Sequence, residues 1–160
     1  MKPKAEKAAT HFDSLEQEVF LNLWRTYDRL RALEDALFGG YDLTPQQYNV
    51  LRLLRAAHPE ALQTLTLADQ LVSRAPDITR ILDKLQERGL ITRERPRDNR
   101  RIVRVAISSD GLAVLKEIAE PLRACHKRQL GHVGESDLKH LARLLRGARE
   151  PHEDNNSPWR

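Results

Sequence analysis

The 160-residue sequence predicts a mainly α-helical protein with a small β wing, a winged helix-turn-helix of six helices and a two- or three-stranded hairpin sheet. Three observations lead to this fold class. Apolar residues recur every three or four positions along most of the chain. Within residues 67–107, two short amphipathic helical stretches precede two strand-like runs, and a basic turn, RPRDNR, separates the strands. Two helices followed by a charged hairpin are the element order of this fold.

The first two helices have clear boundaries in the sequence. Residues 12–38 contain no Gly or Pro and carry an apolar stripe broader than one small neighbour would cover, and Gly39 ends the helix. The second helix is expected to begin after Thr44, because Gln47 completes a T-x-x-Q capping box. It is expected to end near Ala57, where the sequence His-Pro stops it.

The helix-turn-helix pair follows these two helices. The first member is expected to carry Thr64 or Thr66 as its cap, and Leu65 is a candidate for a third strand of the wing sheet. The second member is expected to begin near Pro76, which suits the first helical position. Gly89 is expected to end it in the left-handed conformation.

The strands and the last two helices complete the fold. Strands are expected over residues 90–95 and 101–107, the second of them alternating between apolar and polar side chains. Ser108 is expected to cap a long helix over residues 110–130, and the proline inside that helix should kink it. A last helix is expected over residues 136–148.

These elements divide the chain into four regions. The N- and C-terminal helices carry more apolar surface than one chain buries easily, so a symmetric homodimer is expected. The expected regions are a disordered tail over 1–11, a helical dimerisation region over 12–38 and 108–148, a winged helix-turn-helix domain over 42–107, and a disordered tail over 149–160.

The positive charge of the chain is concentrated in the wing. The whole chain has 27 Lys and Arg residues against 23 Asp and Glu residues, a net charge of +4. Residues 93–104 hold six arginines against two acidic residues, so this segment alone accounts for the excess. Such a cluster is typical of a surface that neutralises phosphates. Aromatic residues make up only 5% of the chain, which favours double-stranded DNA over a single strand stacked on rings.

Composition and motifs also argue against a membrane protein, a disulfide-linked protein and an enzyme. No apolar run is long enough to span a bilayer and no signal peptide is present, so no membrane partner and a cytoplasmic location are expected. Cys125 is the lone cysteine, which excludes an internal disulfide and fits a reducing compartment. The sequence has no G-x-S-x-G, no glycine-rich phosphate loop and no histidine spaced to activate a nucleophile. No enzyme activity, catalytic residue or cofactor is expected.

The segment ITRILDKLQERGLITRERPRDNRRIVRVAISSDG resembles the MarR (multiple antibiotic resistance regulator) family of bacterial transcription regulators, and the resemblance extends over roughly residues 12–148. A wing motif D-x-R is matched by Asp98 and Arg100. Ser108 stands where the family has threonine, and Ala75 where a serine commonly precedes the proline. The family core T-R-x-x-x-x-L-x-x-x-G-L-I is matched by Thr79, Arg80, Leu85, Gly89, Leu90 and Ile91.

This resemblance implies a homodimer, most simply a repressor, whose two winged domains bind a palindromic operator. It also implies control by a small ligand between the dimer body and the winged domain, or by oxidation of a cysteine. Residues at the start of the second helix of the pair and in the wing are then the candidate DNA contacts. They are Ala75, Pro76, Asp77, Thr79, Arg80, Lys84, Arg97, Asp98, Arg100 and Arg101.

Several of the candidate DNA contacts have individual expected roles. Arg80 is expected to contact bases or phosphate, Thr79 a phosphate or a thymine methyl group, and Lys84 a phosphate. Asp77 either accepts a hydrogen bond from a cytosine or complements the helix dipole. Asp98 either orients the neighbouring arginine of the D-x-R motif toward the minor groove or is an ordinary turn residue.

Three further hypotheses remain, two on control of the protein and one on an alternative function. Trp24, Tyr27, Arg31 and Tyr48 are candidates to line a pocket for an aromatic or anionic effector; ordinary core and dimer packing is the alternative. A redox- or metal-responsive regulator is conceivable through Cys125 and the histidines around it, but no H-x-x-x-H or C-x-x-C spacing appears, so no metal is expected. The alternative from another class is a winged interaction or architectural module without sequence-specific readout.

Overall fold

The computed structural model describes residues 11–73, 77–97, 99–155 and 157–159. Within these residues the predicted architecture is confirmed, with six α-helices and one small antiparallel sheet. Contacts divide the chain into two compact units, with the second beginning at Leu33. In chain order the elements are α1 (Leu15–Gly39), α2 (Pro45–Ala57), β1 (Leu62–Gln63), α3 (Thr64–Gln70), α4 (Ile78–Glu87), β2 (Ile91–Glu94), β3 (Arg104–Ile107), α5 (Ser109–Leu130), α6 (Glu135–Arg149) and a 3-10 turn (Glu150–His152).

The first unit contains the beginning of α1. This helix starts at Leu15, three residues later than predicted, because the Ser14 hydroxyl accepts a hydrogen bond from the Gln17 N–H (3.2 Å) and so caps it. Large apolar side chains of the unit are exposed, and the rings of Phe20 and Trp24 meet edge to face with centroids 6.3 Å apart.

The second unit is built around one apolar core. Helices α2, α3, α4 and α5 and strand β3 each bury leucine, isoleucine or valine side chains in it. Burial of such side chains is the main favourable contribution to folding. The largest core side chains with essentially no exposed surface are Phe38, Leu51, Leu54, Leu67, Leu82, Leu85, Leu115 and Ile118.

The three strands form an antiparallel sheet in the order β1-β3-β2. In this register Ile91 lies opposite Ile107, and Leu62 lies opposite Val105. The prediction of Leu65 as the third strand was wrong: this residue belongs to α3 and exposes 78% of its surface. The third strand is β1, and it ends at Gln63, two residues before Leu65. The chain begins α3 at Thr64, as soon as the pairing of β1 with β3 ends.

The predicted caps of α2 and α5 are confirmed, and that of α3 is not. The Thr44 hydroxyl accepts from the Gln47 N–H (3.1 Å), and the Gln47 side chain accepts from the Thr44 N–H (2.9 Å). The Ser108 hydroxyl accepts from the Gly111 N–H (3.0 Å). Thr64 is instead the first residue of α3, and its N–H and hydroxyl donate to the Val103 carbonyl of the wing (3.1 and 3.4 Å). Helix α3 therefore has no side-chain cap.

The described residues beyond Arg149, which are 150–155 and 157–159, differ from the predicted disordered tail. They form the 3-10 turn, and the indole of Trp159 donates a hydrogen bond to the Gln70 carbonyl in α3 (3.3 Å). A polar sequence is compatible with this structure because its contacts are hydrogen bonds and ion pairs rather than apolar burial. The predicted tail over residues 1–11 lies outside the described residues, except for His11. No helix in the described part of the chain is both long and apolar enough to cross a bilayer.

Candidate DNA-binding interface

Helix α4 presents a narrow polar face because its apolar residues point inward. Leu82 and Leu85 are buried, and Ile78 and Ile81 are half-buried. Asp77 is the N-cap, and its Oδ1 accepts the Arg80 N–H at 2.9 Å. Of the two roles expected for Asp77, the structure therefore supports capping of the helix start, where a carboxylate is also stabilised by the helix dipole.

Three of the predicted contact residues lie exposed on α4. Thr79 and Arg80 are in its first turn, and Lys84 is about one turn later. The Lys84 ammonium lies 3.0 Å from the Glu87 carboxylate, but both side chains are more than half exposed. Such an exposed ion pair contributes little to stability, so it does not prevent Lys84 from contacting a phosphate.

The wing turn is held by hydrogen bonds within the described residues. The Arg95 guanidinium donates to the Arg100 carbonyl (3.0 Å), and the Asn99 side chain accepts from the Arg101 N–H (3.1 Å). Arg97, Arg100 and Arg101 are themselves exposed. These two hydrogen bonds link described residues of the turn, and the three guanidinium groups lie on its surface.

One hairpin arginine has a structural role instead of facing outward. Arg93 donates to the Asp83 carboxylate and to the Gln86 side-chain oxygen of α4, both at 2.5 Å, and only 25% of its side chain is exposed. Counting charge in the sequence placed this arginine with the other five of the hairpin. The structure shows that it braces strand β2 against α4.

Two further contacts at the end of α4 were missed by the sequence analysis. Arg88 donates to the backbone carbonyls of Tyr41 (3.1 Å) and Asp42, which joins the end of α4 to the loop before α2. The Ser108 hydroxyl donates to the Gly89 carbonyl (2.6 Å). The Ser108 contact had a signal in the sequence, the predicted cap, whereas nothing local marks an arginine that pairs with carbonyls 46 and 47 residues away.

A groove of about 380 Å³ is lined by residues of α4, of the start of α3 and of the wing. Its lining includes Thr79 and Leu82 of α4 and Arg95 and Arg101 of the wing. The first turn of α4 and the basic wing thus border the same surface of the second unit. Ala75, Pro76 and Asp98 lie outside the described residues, so the proposed pairing of Asp98 with Arg100 stays a prediction.

The candidate effector residues fall in both units. Trp24 and Tyr27, in the first unit, expose 64% and 62% of their surface, and Arg31 is also exposed. Tyr48, in the second unit, stacks on Phe38 with ring centroids 4.6 Å apart. Core packing accounts for the position of Tyr48, and an effector pocket formed by these residues stays a prediction.

Cys125 is buried on the inner face of α5. Burial raises the pKa of its thiol, and the nearby Glu34 carboxylate raises it further, while Arg128 acts in the opposite direction. Next to it, the His126 ring lies 3.1 Å from Glu34. Among the described residues no group of three His, Cys, Asp or Glu side chains is placed to hold a metal ion. A raised thiol pKa disfavours the thiolate that oxidation requires.

Comparison with known proteins identifies relatives over most of the chain. The sequence model of the MarR family matches residues 43–103. A solved structure of a MarR transcription factor from Planctomyces limnophilus is 53% identical, with a TM-score of 0.69, and the match covers 84% of this chain and 98% of that one. The HTH-type transcriptional regulator PecS of Dickeya dadantii is 28% identical over 127 residues, which are 79% of this chain and 75% of PecS.

A more distant structural relative was solved with DNA. It is a mutant of MarR from E. coli in complex with operator DNA, 20% identical, with a TM-score of 0.74 and coverage of 84% of this chain and 98% of that one. At this identity the likeness shows a shared fold, which matches the helices and wing described above.

Proposed function

Because the chain belongs to the MarR family of transcription regulators, we propose that it is a homodimeric repressor that binds a palindromic operator in double-stranded DNA. The observation that carries this proposal is the shared surface at the groove between α4 and the wing. Thr79 of the first turn of α4 and Arg95 and Arg101 of the wing line that groove, and Arg80 is exposed beside Thr79. The first turn of α4, which carries Thr79 and Arg80, would enter the major groove, and the wing would follow the DNA backbone.

The proposed contacts divide into base readout and phosphate neutralisation. Arg80 has the fork geometry that binds guanine edges, and its backbone is fixed by the Asp77 cap. Lys84, Arg97, Arg100 and Arg101 are exposed cations suited to phosphates.

Homodimerisation is proposed from apolar surface that the single chain leaves uncovered. In the first unit α1 exposes Leu15, Phe20 and Trp24, and in the second unit α6 exposes Leu141 and Leu144. Large apolar patches of this kind mark interaction surfaces. In a two-fold symmetric dimer, each patch would pack against the same patch of the second subunit. The dimer would then present two α4 helices to a palindrome. Such a regulator would act in the cytoplasm, where the DNA lies.

Control by a small molecule is the second part of the proposed function. We propose that an aromatic or anionic small molecule releases the protein from DNA. Trp24 and Tyr27 supply exposed aromatic rings, Arg31 supplies positive charge, and Tyr48 supplies a half-buried ring. A screen of aromatic carboxylates for release of bound operator would test it, with Arg31→Ala expected to weaken the response.

Selection of binding sites from random duplexes tests the main proposal. The selected sites should be inverted repeats with half-site centres about 10 base pairs apart, because two related helices must reach one face of the duplex. Arg80→Ala should reduce the preference for the selected site over random DNA by about 10-fold or more, the value of one good base contact.

Lys84→Ala is the matched control on the same helix. It should weaken binding to both DNAs equally and reduce the dependence on salt by about one unit of slope. Binding of random and selected DNA with equal affinity would contradict the proposal and favour an architectural module without sequence readout.

A further inference from the structure

The chain beyond α6 folds back on the helix-turn-helix. After Arg149 it forms the 3-10 turn and continues to Trp159, whose indole Nε1 donates to the Gln70 carbonyl at 3.3 Å. We call the described residues of 150–159 the C-terminal strap. Both ends of this contact lie in the second unit.

Arg149, the last residue of α6, makes three contacts with the strap. Its guanidinium Nη2 donates to the Trp159 carbonyl at 3.0 Å, and its Cζ lies 5.8 Å from the centroid of the Trp159 ring. Its Nε lies 3.0 Å from the Glu153 carboxylate. A guanidinium within about 6 Å of an indole face is attracted to it, so Arg149 holds both the ring and the backbone of Trp159.

Ser157 closes the strap internally. Its hydroxyl donates to the Glu153 carboxylate at 2.6 Å and accepts from the Trp159 N–H at 3.2 Å. Glu153, Ser157 and Trp159 are all half-buried, in contrast to the exposed α6 before them. These hydrogen bonds link Glu153, Ser157 and the backbone of Trp159.

The point of attachment is the end of α3. Gln70 is the last residue of this helix, and carbonyls in the last turn of a helix lack partners within the helix. Trp159 supplies such a partner from the far end of the chain. Helix α4 is the next helix in the chain and begins at Ile78, so the strap contacts the helix-turn-helix at the helix that precedes the one we propose reads DNA.

We propose that the C-terminal strap positions the helix-turn-helix relative to α6 and so fixes the half-site spacing that the dimer accepts. This inference rests on the proposed function, and Trp159 acts in it as a positioning residue that touches no DNA. A fixed spacing spares the entropy of ordering the two winged domains on the operator. It also rejects operators whose half-sites are displaced.

The experiment measures the affinity for the selected palindrome and for versions with one or two base pairs inserted or removed at its centre. Wild-type protein should prefer one spacing. Trp159→Ala should bind that operator about tenfold more weakly, since a hydrogen bond and a cation–π contact are lost, and its preference among spacings should flatten. Trp159→Phe, which keeps a ring over Arg149 but loses the N–H, should flatten the preference partly.

His152→Ala is the matched control, because His152 lies in the same strap and is exposed. It should leave affinity and spacing preference unchanged. A spacing preference in folded Trp159→Ala identical to that of the wild type overturns the positioning role. Wild-type protein without preference for any palindrome would instead contradict the proposed function.

A measurement without DNA tests the strap separately. In Trp159→Ala, backbone amides at the end of α3 and in residues 71–73 should exchange with solvent faster than in wild type or in His152→Ala. Unchanged exchange in the alanine variant would show that the strap does not hold α3 and would overturn the inference whatever the DNA results.

Discussion

Gly111 shows how closely α5 approaches the end of the proposed recognition helix. A Cβ atom at this position would lie 2.3 Å from the Leu90 carbonyl oxygen and 2.7 Å from a side-chain carbon of Ile107. Both neighbours are buried, and Leu90 is held by its N–H, which donates to the Leu85 carbonyl at 3.0 Å. Gly89 adopts a φ of 68° to allow this turn. Absence of a side chain at one residue therefore permits the junction between α4, the wing and α5.

Gly111→Ala should destabilise the fold by about 1–3 kcal/mol, the range for overpacking a core, because the Leu90 backbone cannot yield as a flexible side chain would. Urea unfolding monitored by circular dichroism measures it. Gly147→Ala is the control, since a Cβ there meets nothing within 4 Å and Gly147 lies inside α6. It should gain up to about 1 kcal/mol from helix propensity. Equal stability of the two variants would contradict the packing argument.

Cys125 is expected to be a packing residue rather than an oxidation sensor. Burial and Glu34 raise the pKa of its thiol, so the protonated form predominates at neutral pH. Because the folded-state pKa lies above the unfolded value, this group stabilises the fold fully below the unfolded pKa. Its contribution is lost as the pH rises through the folded pKa.

Alkylation kinetics and peroxide treatment test the prediction for Cys125. Native protein at pH 7.5 should react with iodoacetamide much more slowly than unfolded protein, and the rate should climb only at alkaline pH. Cys125→Ser should bind DNA with the same peroxide response as the wild type. Rapid modification of native protein accompanied by release of DNA would instead establish a redox switch.

Most of the elements specified by local residues were predicted accurately, although the Ser14 cap of α1 was missed, and elements specified by distant contacts were not predicted. The Thr44–Gln47 capping box, the Ser108 cap and the left-handed Gly89 need only neighbours in sequence. Strand β1 is two residues long and exists only by pairing with β3, so no local pattern marks it. Trp159 likewise finds its partner 89 residues away.

The same distinction between local and distant contacts applies to prediction of the candidate site. The sequence predicted which residues of α4 face outward, because the buried leucines recur with helical spacing. It did not separate Arg93 from the exposed arginines, since all lie in one basic run and only the position of Asp83 and Gln86 on α4 distinguishes it. Charge counts in a sequence report where cations are, and the fold decides which of them are already paired.

Arg93 and Arg101 should therefore respond differently to replacement by alanine. Arg93→Ala should lower the free energy of unfolding by roughly 0.5–1 kcal/mol, a value limited by the exposure of Asp83, and should leave the salt dependence of DNA binding unchanged. Arg101→Ala should leave stability unchanged and reduce the salt slope by about one, as expected for a lost phosphate contact. A reduced slope in Arg93→Ala would mean that this arginine also reaches DNA.

At the scale of the whole molecule, the uncovered apolar surface and the proposed palindrome require the same two-fold symmetry. Leu141, Leu144 and Leu145 of α6 expose 37% to 52% of their surface, and Phe20, Trp24 and Tyr27 of α1 expose more than 60%. Burial of one such side chain contributes about 1.5–3 kcal/mol, and an isologous interface repeats every contact. Dimerisation and operator recognition should therefore be lost together.

Leu144→Glu should separate the dimer, because each interface would receive two carboxylates in place of two apolar side chains. Sedimentation at micromolar concentration should give twice 18.4 kDa for the wild type and a mass near 18.4 kDa for the variant. Leu65→Glu is the control for the sedimentation measurement only, and it should stay dimeric. Leu65 is more exposed than Leu144 and lies outside the proposed dimer helices.

The separated variant should still carry one α4 and one wing, so it should bind a half-site weakly. Its salt slope should be about half that of the wild type, because the slope follows the number of phosphates neutralised. A wild-type dimer contacting about 6–10 phosphates should lose roughly 10³–10⁵ in affinity between 50 and 200 mM salt, and the variant should lose about the square root of that factor. A monomeric wild type, or a Leu144→Glu variant that stays dimeric, would contradict the assignment of α6 to the dimer interface. A monomeric variant with the wild-type salt slope would contradict a phosphate contact shared equally by two subunits.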